Sequence, residues 1–173
     1  MKTSLYTVTV PLFIKALGNL SSFIDKAVLH AENKKIDPGT LLESRLAPDM
    51  YPFARQIQLA SDQAKSFAPR LNGSEPPSIP DTEKTVEDLK ARIDKTIEIL
   101  KAIKPSDVDG KEDAEVTLSY LPGKKLTGFD FATQLALPNF YFHITTAYAI
   151  LRHNGVDLGK MDFIGGLSLT DAA

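Results

Sequence analysis

The stretch from Leu137 to Gly155, LPNFYFHITTAYAILRHNG, most constrains what this chain can fold into. Between Pro138 and His153 it carries one fixed charge, Arg152. Proline favours the first turn of a helix and Asn-Gly favours its C-terminal end, so the pattern predicts a helix from Pro138 to His153. Apolar side chains surround this helix, as is typical of a helix enclosed by others. A membrane span needs roughly 20 apolar residues, so we expect a buried helix.

Three more helical patterns precede this stretch, each with apolar residues at steps of three and four. The predicted helices run from Leu5 to Lys34, from Met50 to Asn72 and from Val86 to Lys104. Alternation over Glu115–Tyr120, with a return at residues 125–127, predicts a small hairpin. A short helix over residues 129–135 should follow, and the tail after Gly155 should lie along the helices. The pattern predicts an all-α, up-and-down four-helix bundle with a β-hairpin inserted before the last long helix.

Composition narrows the classes of function. The 173 residues suit one domain spanning residues 1–173, and 43% of them are hydrophobic, as in a globular protein. A net charge of −2 favours neither a nucleic-acid partner nor an anionic membrane. The chain has no cysteine, which excludes disulfides and thiolate chemistry and fits a reducing compartment. Lys15 interrupts the N-terminal apolar run, so we expect no signal peptide and a cytoplasmic protein.

The chain has three histidines, His30, His143 and His153, the number that catalytic zinc or nickel sites often use. His143 and His153 are ten positions apart, about 15 Å along a helix, and point roughly 80° apart. At most one of them therefore joins His30. The simpler interpretation of His143 is a buried imidazole bonded to a neighbour. That of His153 is a cation near the C-terminal end of a helix dipole.

Polar residues on the predicted apolar faces indicate a second cluster between the helices. Helix one supplies His30, helix two the Asp49, Gln56 and Gln63 side chains, and the last helix three more: Tyr141, His143 and Tyr148. Such a polar patch in an apolar wall is the usual form of a small-molecule site. A His–Asp pair there can serve as a general base. The alternative is a satisfied buried polar network without a ligand.

Two long motifs carry a resemblance to a known family. They are RLAPDMYPFARQIQLASDQAK, residues 45–65, and LPNFYFHITTAYAILRHNGVDLGKMDF, residues 137–163; the opening SLYTVTVPLFIKALGNL also matches. In these motifs the sequence closely resembles DUF1993, a family of unknown function found in bacteria and fungi. This family is placed in the DinB/YfiT-like superfamily, a resemblance that covers nearly the whole chain.

The resemblance implies a four-helix bundle, often dimeric, and in many superfamily members a divalent metal held by three histidines. One such histidine lies on the second helix and a His-x-x-x-His pair lies on the fourth. Here Gln56 best matches the second-helix position, His143 matches the first of the pair, and Ala147 replaces the second. Some superfamily members are thiol-dependent transferases or isomerases, but the resemblance assigns no substrate to this family.

Three hypotheses follow, and the sequence leaves open whether the protein is an enzyme. The first is a small-molecule pocket among helices one, two and four, with His143, His30 and Asp49 as candidate catalytic residues. Its candidate ligand-binding residues are Gln56, Gln63, Tyr141 and Tyr148. The second is a metal-dependent transferase, isomerase or hydrolase, with zinc or nickel on His30 and His143 together with Asp49 or Gln56. The third is a non-catalytic dimerising module, and we expect a homodimer in any case.

Overall fold

The computed structural model describes residues 3–172 and is mostly helical with one small sheet. Its helices are α1 Val10–Lys34, α2 Phe53–Lys65, α3 Phe67–Leu71, α4 Val86–Ala102, α5 Gly128–Asp130, α6 Leu137–His153 and α7 Lys160–Ile164. Turns of 3-10 helix cover Pro38–Leu41 and Pro105–Asp107, and a π-helical segment covers Phe131–Ala136. The strands are β1 Glu115–Thr117 and β2 Lys125–Thr127. Within residues 3–172, no helix combines the length and apolar character needed to cross a bilayer.

Two prolines mark interruptions of the helices, and the bounds of two predicted helices differ from those observed. The second predicted helix is divided at Ser66 into α2 and α3. Pro69 has no N–H group to donate to the carbonyl of Lys65, four residues earlier, and its ring crowds that carbonyl. Lys65 is the last residue of α2. Pro138 has the same effect on the carbonyl of Gln134, which lies within the π-helical segment before α6. The first helix begins at Val10, five residues later than predicted.

The core lies between the four long helices and is rich in phenylalanine. The ring of Phe13 on α1 meets that of Phe140 on α6 at 4.6 Å and that of Phe67 on α3 at 5.6 Å, both edge-to-face. Phe67 in turn stacks on Phe131 at 5.7 Å. All four side chains are fully buried, so these aromatic pairs add directional contacts to the apolar area that they remove from water.

The four long helices do not have the neighbours of an up-and-down bundle, in which consecutive helices pack side by side. Helix α1 packs mainly against α4 and α6, and α2 packs mainly against the same two helices. Contacts between α1 and α2 are few. The helical class is as predicted, whereas the up-and-down order is not confirmed.

The hairpin was predicted and is confirmed. Val116 pairs with Leu126 in antiparallel register, and the Val116 side chain is buried against the helices. The tail, for which no helix was predicted, contains α7. That helix packs on α1 through an ion pair between Lys26 and Asp162, at 2.8 Å, and through Asn19, whose amide donates to the Phe163 carbonyl at 2.9 Å.

Helix α6 is not enclosed on every side, so this part of the prediction was wrong. Its outward stripe contains Pro138, Phe142, Thr145 and Arg152, and the Phe142 side chain is 55% exposed. Helix α2 is the more enclosed of the two, although its sequence is more polar: nine of its 13 residues are buried, against seven of 17 in α6. The interface between these two helices contains the candidate site.

Candidate functional site

The candidate site is a polar seam where α2 packs against α6. His143 on α6 is 8% exposed, and its Nδ1 atom lies 2.8 Å from Oε1 of Gln56 on α2. The Gln56 amide group also donates from Nε2 to the backbone carbonyl of Tyr51 at 2.9 Å. A buried imidazole from one helix is thus tied through one amide side chain to the residue two positions before the other helix.

These two hydrogen bonds determine which nitrogen of the His143 ring carries a proton. The Tyr51 carbonyl only accepts, so the NH₂ group of Gln56 must face it and the amide oxygen must face His143. An amide oxygen also only accepts, so Nδ1 of His143 carries the proton. In the neutral ring, Nε2 then carries the lone pair. The seam therefore presents His143 as a hydrogen-bond acceptor or base at Nε2, with its orientation set by Gln56.

The surroundings of His143 favour the neutral form of its ring. Burial, which disfavours the charged form, lowers the pKa of His143, and the positive charge of Arg55 lowers it further. Arg55 is itself held in place: it pairs with Asp81, donates to Oε1 of Gln58 at 2.9 Å and lies 5.9 Å from the centre of the Tyr51 ring. The site thus combines a neutral imidazole with a fixed neighbouring cation.

A second polar pair lies further along the same seam. Asn139, one helical turn before His143, donates from Nδ2 to Oε1 of Gln63 at 3.0 Å. Gln63 is 5% exposed, and its Nε2 atom is buried without a hydrogen-bond partner among the described residues. An unpaired buried donor costs free energy unless something else accepts from it. The seam therefore offers one acceptor, at His143, and one unused donor, at Gln63.

The structure places His30 away from this seam and leaves Asp49 exposed, without a hydrogen bond to His143. The Cε1 atom of His30 lies 3.5 Å from the position that a β-carbon on Gly155 would occupy, beyond the C-terminal end of α6. That end is at least ten residues from His143, roughly 15 Å along the helix. Asp49 is exposed in the connection before α2. His30 is therefore too far away to share a site with His143. Among the described residues, no aspartate side chain forms a hydrogen bond with His143.

The two predicted tyrosines lie on other faces of α6. Tyr141 is two positions from His143, about 200° around the helix axis, and packs edge-on against Phe140. Burial raises the pKa of its phenol. The Tyr148 ring packs between Phe23 and Phe163, and its hydroxyl donates to the Leu158 carbonyl at 3.4 Å. Of the predicted ligand-binding residues, Gln56 and Gln63 therefore lie with His143, while the two tyrosines do not.

The residues of this seam do not fit a three-ligand metal site. His143 alone would suit a metal, because metal-bound imidazoles usually donate their other N–H to a carbonyl. However, both ends of the Gln56 amide are engaged, and residue 147, one turn after His143, is an alanine. Among residues 3–172, no group of three His, Cys, Asp or Glu side chains converges as metal ligands would.

The sequence analysis did not identify a cluster of charged side chains around Arg92, beside the seam. We term this cluster the Arg92 network. The Arg92 side chain, 1% exposed, contacts Asp62 at 2.8 Å, Glu83 at 2.8 Å and Asp81 at 3.0 Å. Lys65, Gln58 and Arg55 complete the network. One signal was present in the sequence: Arg92 occupies an inward position of α4, between the buried residues Leu89 and Thr96. Asn139 was missed as well, although it lies one turn before His143.

Comparisons with known proteins agree with this architecture. A family model described as a domain of unknown function, DUF1993, matches residues 5–164. The chain belongs to the DUF1993 family. Its structure is similar to the crystal structure of a DinB family member protein from Shewanella denitrificans, with a TM-score of 0.93 and 42% identity, over 97% of this chain and 96% of that one. No curated protein matches this DUF1993 chain. The predicted resemblance to DUF1993 and to DinB-like proteins is thereby confirmed.

Proposed function

We propose that this DUF1993 protein binds a small molecule at the seam between α2 and α6, with His143 as the central group. The observation that carries the proposal is the chain of hydrogen bonds from the Tyr51 carbonyl through Gln56 to His143. Nothing in a purely apolar interface requires an imidazole with a specified tautomer. A base or acceptor that must meet a ligand does require one, because a wrong tautomer places a proton where the lone pair is needed.

The chemistry of the seam favours a particular kind of ligand. Such a ligand donates a hydrogen bond to Nε2 of His143, and a group at its other end accepts from the unpaired Nε2 of Gln63. Hydroxy acids and amides carry both kinds of group. A ligand reaches the ring only if a small opening forms beside it. The exposed neighbour on that side is Phe142, whose ring lies edge-on to that of His143 with 5.3 Å between the ring centres.

A nuclear magnetic resonance screen tests this proposal directly. Small hydroxy acids, amides and carboxylic acids are added to the full chain, and the ring proton on Cε1 of His143 is observed. We expect a subset to shift this signal in the unchanged protein. In calorimetric titrations of both proteins, the same compounds should bind at least about tenfold more weakly to His143→Gln than to the unchanged protein. His153→Gln is the matched control on the same helix. Equal effects of the two substitutions, or no compound that shifts the His143 signal, would contradict the proposal.

The alternative of a dimerising module is favoured by the outer face of α6. An open groove of about 400 Å³ there is lined by uncharged side chains: Leu46, Met50, Tyr141, Phe142, Thr145, Thr146 and Ala149. We propose that a second copy covers it, because a two-fold axis brings a patch against itself and a patch without charges suffers no repulsion. Light scattering tests this, since Phe142→Glu should give monomers while Phe129→Glu, at another exposed phenylalanine, should not. Monomers before any substitution would contradict it.

We further propose that the four long helices form a closed bundle of the DinB type and that the protein works in the cytoplasm. The likeness to the Shewanella denitrificans structure supports the first proposal, and the cysteine-free sequence supports the second. Small-angle scattering of the full chain, compared with the profile calculated from the coordinates, tests the bundle. A markedly more extended particle would contradict it.

A further inference from the structure

We infer that the His143 site works without a divalent metal and selects an uncharged or anionic ligand, with Arg55 as the positioning residue that sets this preference. The inference rests on the proposed function of the seam and adds the charge class of the ligand. It differs from what the DinB resemblance implies. The geometry that supports it comes from the two helices that form the seam.

The first argument is the number of ligands. Zinc sites in proteins use at least three protein donors. Around His143, the Gln56 oxygen already accepts the Nδ1 proton, and the Gln56 nitrogen already donates to Tyr51. Recruiting Gln56 would leave the buried Nδ1–H group of His143 unpaired. Ala147 has only a methyl group, so a cation at Nε2 would meet one good ligand.

The second argument is charge. Arg55 is one residue from Gln56, and its guanidinium group is fixed by Asp81, by Gln58 and by the Tyr51 ring. The field of its positive charge opposes the addition of one proton to the ring, and this effect adds to that of burial, which is the larger cause of the lowered pKa of His143. Coulomb energy is proportional to charge, so the same field opposes a divalent cation twice as strongly. It favours an anionic group at the same place.

Other charged groups near the ring do not offset this field. On α2, Asp62 is two turns beyond Arg55 and pairs with Arg92 and Lys65. In the connection before α2, Asp49 is exposed. On α6 itself, Arg152 lies nine positions after His143 and donates to the Val156 carbonyl. The carboxylate of Asp81, which pairs with Arg55, also contacts Arg92 and is therefore shared between two cations.

Zinc chloride and sodium acetate are the probes for the test, each added to the full chain at constant ionic strength. We expect zinc at about 1 mM to leave the Cε1 proton signal of His143 unchanged. We expect acetate to shift that signal, whereas methylammonium at the same concentration should not. Zinc binding with a dissociation constant below about 10 μM that is lost in His143→Gln would overturn the inference.

Substitution of Arg55 supplies the second measurement. Arg55→Met keeps an unbranched side chain but removes the guanidinium charge, so the pKa of His143 should rise and the acetate response should weaken. Lys90→Met, which removes a cation that pairs with Asp25 on the surface, is the control and should change neither. An unchanged His143 pKa and acetate response in Arg55→Met would also overturn the inference. Failure of every screened compound to reach His143 would instead count against the proposed function, so the two failures are distinguishable.

Discussion

Helices α2 and α6 face each other across the seam, and their sequences and environments are mismatched. Helix α6 is rich in aromatic and aliphatic residues yet leaves one stripe open. Helix α2 contains three glutamines, a serine and a lysine that are buried. Helix α2 packs against both α4 and α6, and the connection after α3 covers a further side through Asp81 and Glu83. The number of elements around a helix decides its burial, and composition decides only what that burial costs.

Several polar groups of α2 tolerate burial because other segments supply their partners, whereas the Ser61 hydroxyl and the Nε2 atom of Gln63 have none among the described residues. Gln58 meets Glu83, Asp62 meets Arg92, and Gln56 meets His143. The apolar groups of α6 tolerate exposure because an exposed apolar side chain costs far less than an unpaired buried polar one. The substitutions below test this difference between α2 and α6, in order of decreasing expected effect.

Loss of Arg92 should have the largest effect. Arg92→Met leaves Glu83 buried and removes the charge shared by Asp62 and Asp81. We expect the free energy of unfolding in urea to fall by about 3 kcal/mol, because breaking a buried ion cluster leaves charges uncompensated. Lys90→Met, on the exposed side of α4, should change it by less than about 0.5 kcal/mol. Similar effects of the two substitutions would show that the Arg92 network does not hold α2 in place.

Enlarging an alanine should distinguish the enclosed helix from the open one. Ala60 on α2 is fully buried, whereas Ala149 on α6 lines the open groove. Ala60→Leu should cost about 2 kcal/mol in urea unfolding, because a packed interior has no room for three added carbons. Ala149→Leu should cost less than about 0.5 kcal/mol. The reverse order would mean that α6, and not α2, is the enclosed helix.

The two seam glutamines should differ in stability and in binding. Gln56→Met leaves the His143 Nδ1 proton and the Tyr51 carbonyl without partners, so we expect a loss of about 1.5 kcal/mol in unfolding free energy. Gln63→Met removes an unpaired donor together with one hydrogen bond, and the two effects should nearly cancel, within about 0.5 kcal/mol. In the ligand screen, however, Gln63→Met should weaken binding. A Gln63→Met variant that binds as well as the unchanged protein would assign Gln63 to packing alone.

The smallest effect should be the pH dependence that His143 contributes. Its folded-state pKa lies below the unfolded value of 6.5, so the unfolded chain binds a proton first. The contribution of the neutral His143 ring to the free energy of unfolding is fully present above pH 6.5 and is lost as the pH falls through the folded-state pKa. Urea unfolding between about pH 7.5 and pH 5.5 should therefore show a decline that is reduced in His143→Gln and retained in His153→Gln. An equal decline in both variants would mean that a group other than His143 takes up the proton.

Much of the fold could be predicted from the sequence because it depends on local chemistry. Helix periodicity located all four long helices and alternation located the hairpin. The start of α4 is an example of such local chemistry: the Thr85 hydroxyl accepts from the Asp88 N–H, and Asp88 completes the capping box. The division of the second predicted helix at Ser66 reflects Pro69, whose effect reaches four residues back. The wrong prediction that α6 is enclosed on every side reflects neighbours that lie far away in the chain.

The candidate site was predicted in part. The sequence chose Gln56, Gln63 and His143 because amides and imidazoles on an apolar face need partners, and these three do lie on one seam. It also grouped His30, Asp49, Tyr141 and Tyr148 with them, because residue types do not specify which end or face of a helix meets another. Arg55 and Asn139 were not chosen, since an arginine or asparagine at a helix surface is ordinary until its neighbours are known.

The sequence by itself determined a helical protein with a buried imidazole, since periodicity and residue chemistry act over a few residues and need no knowledge of the rest of the chain. Tertiary structure alone decided which helix is enclosed, which tautomer His143 holds and which cation lies beside it. The reason is physical: hydrogen bonds, burial and Coulomb forces across the seam join atoms 87 residues apart, and only the packing of α2 on α6 brings them within reach.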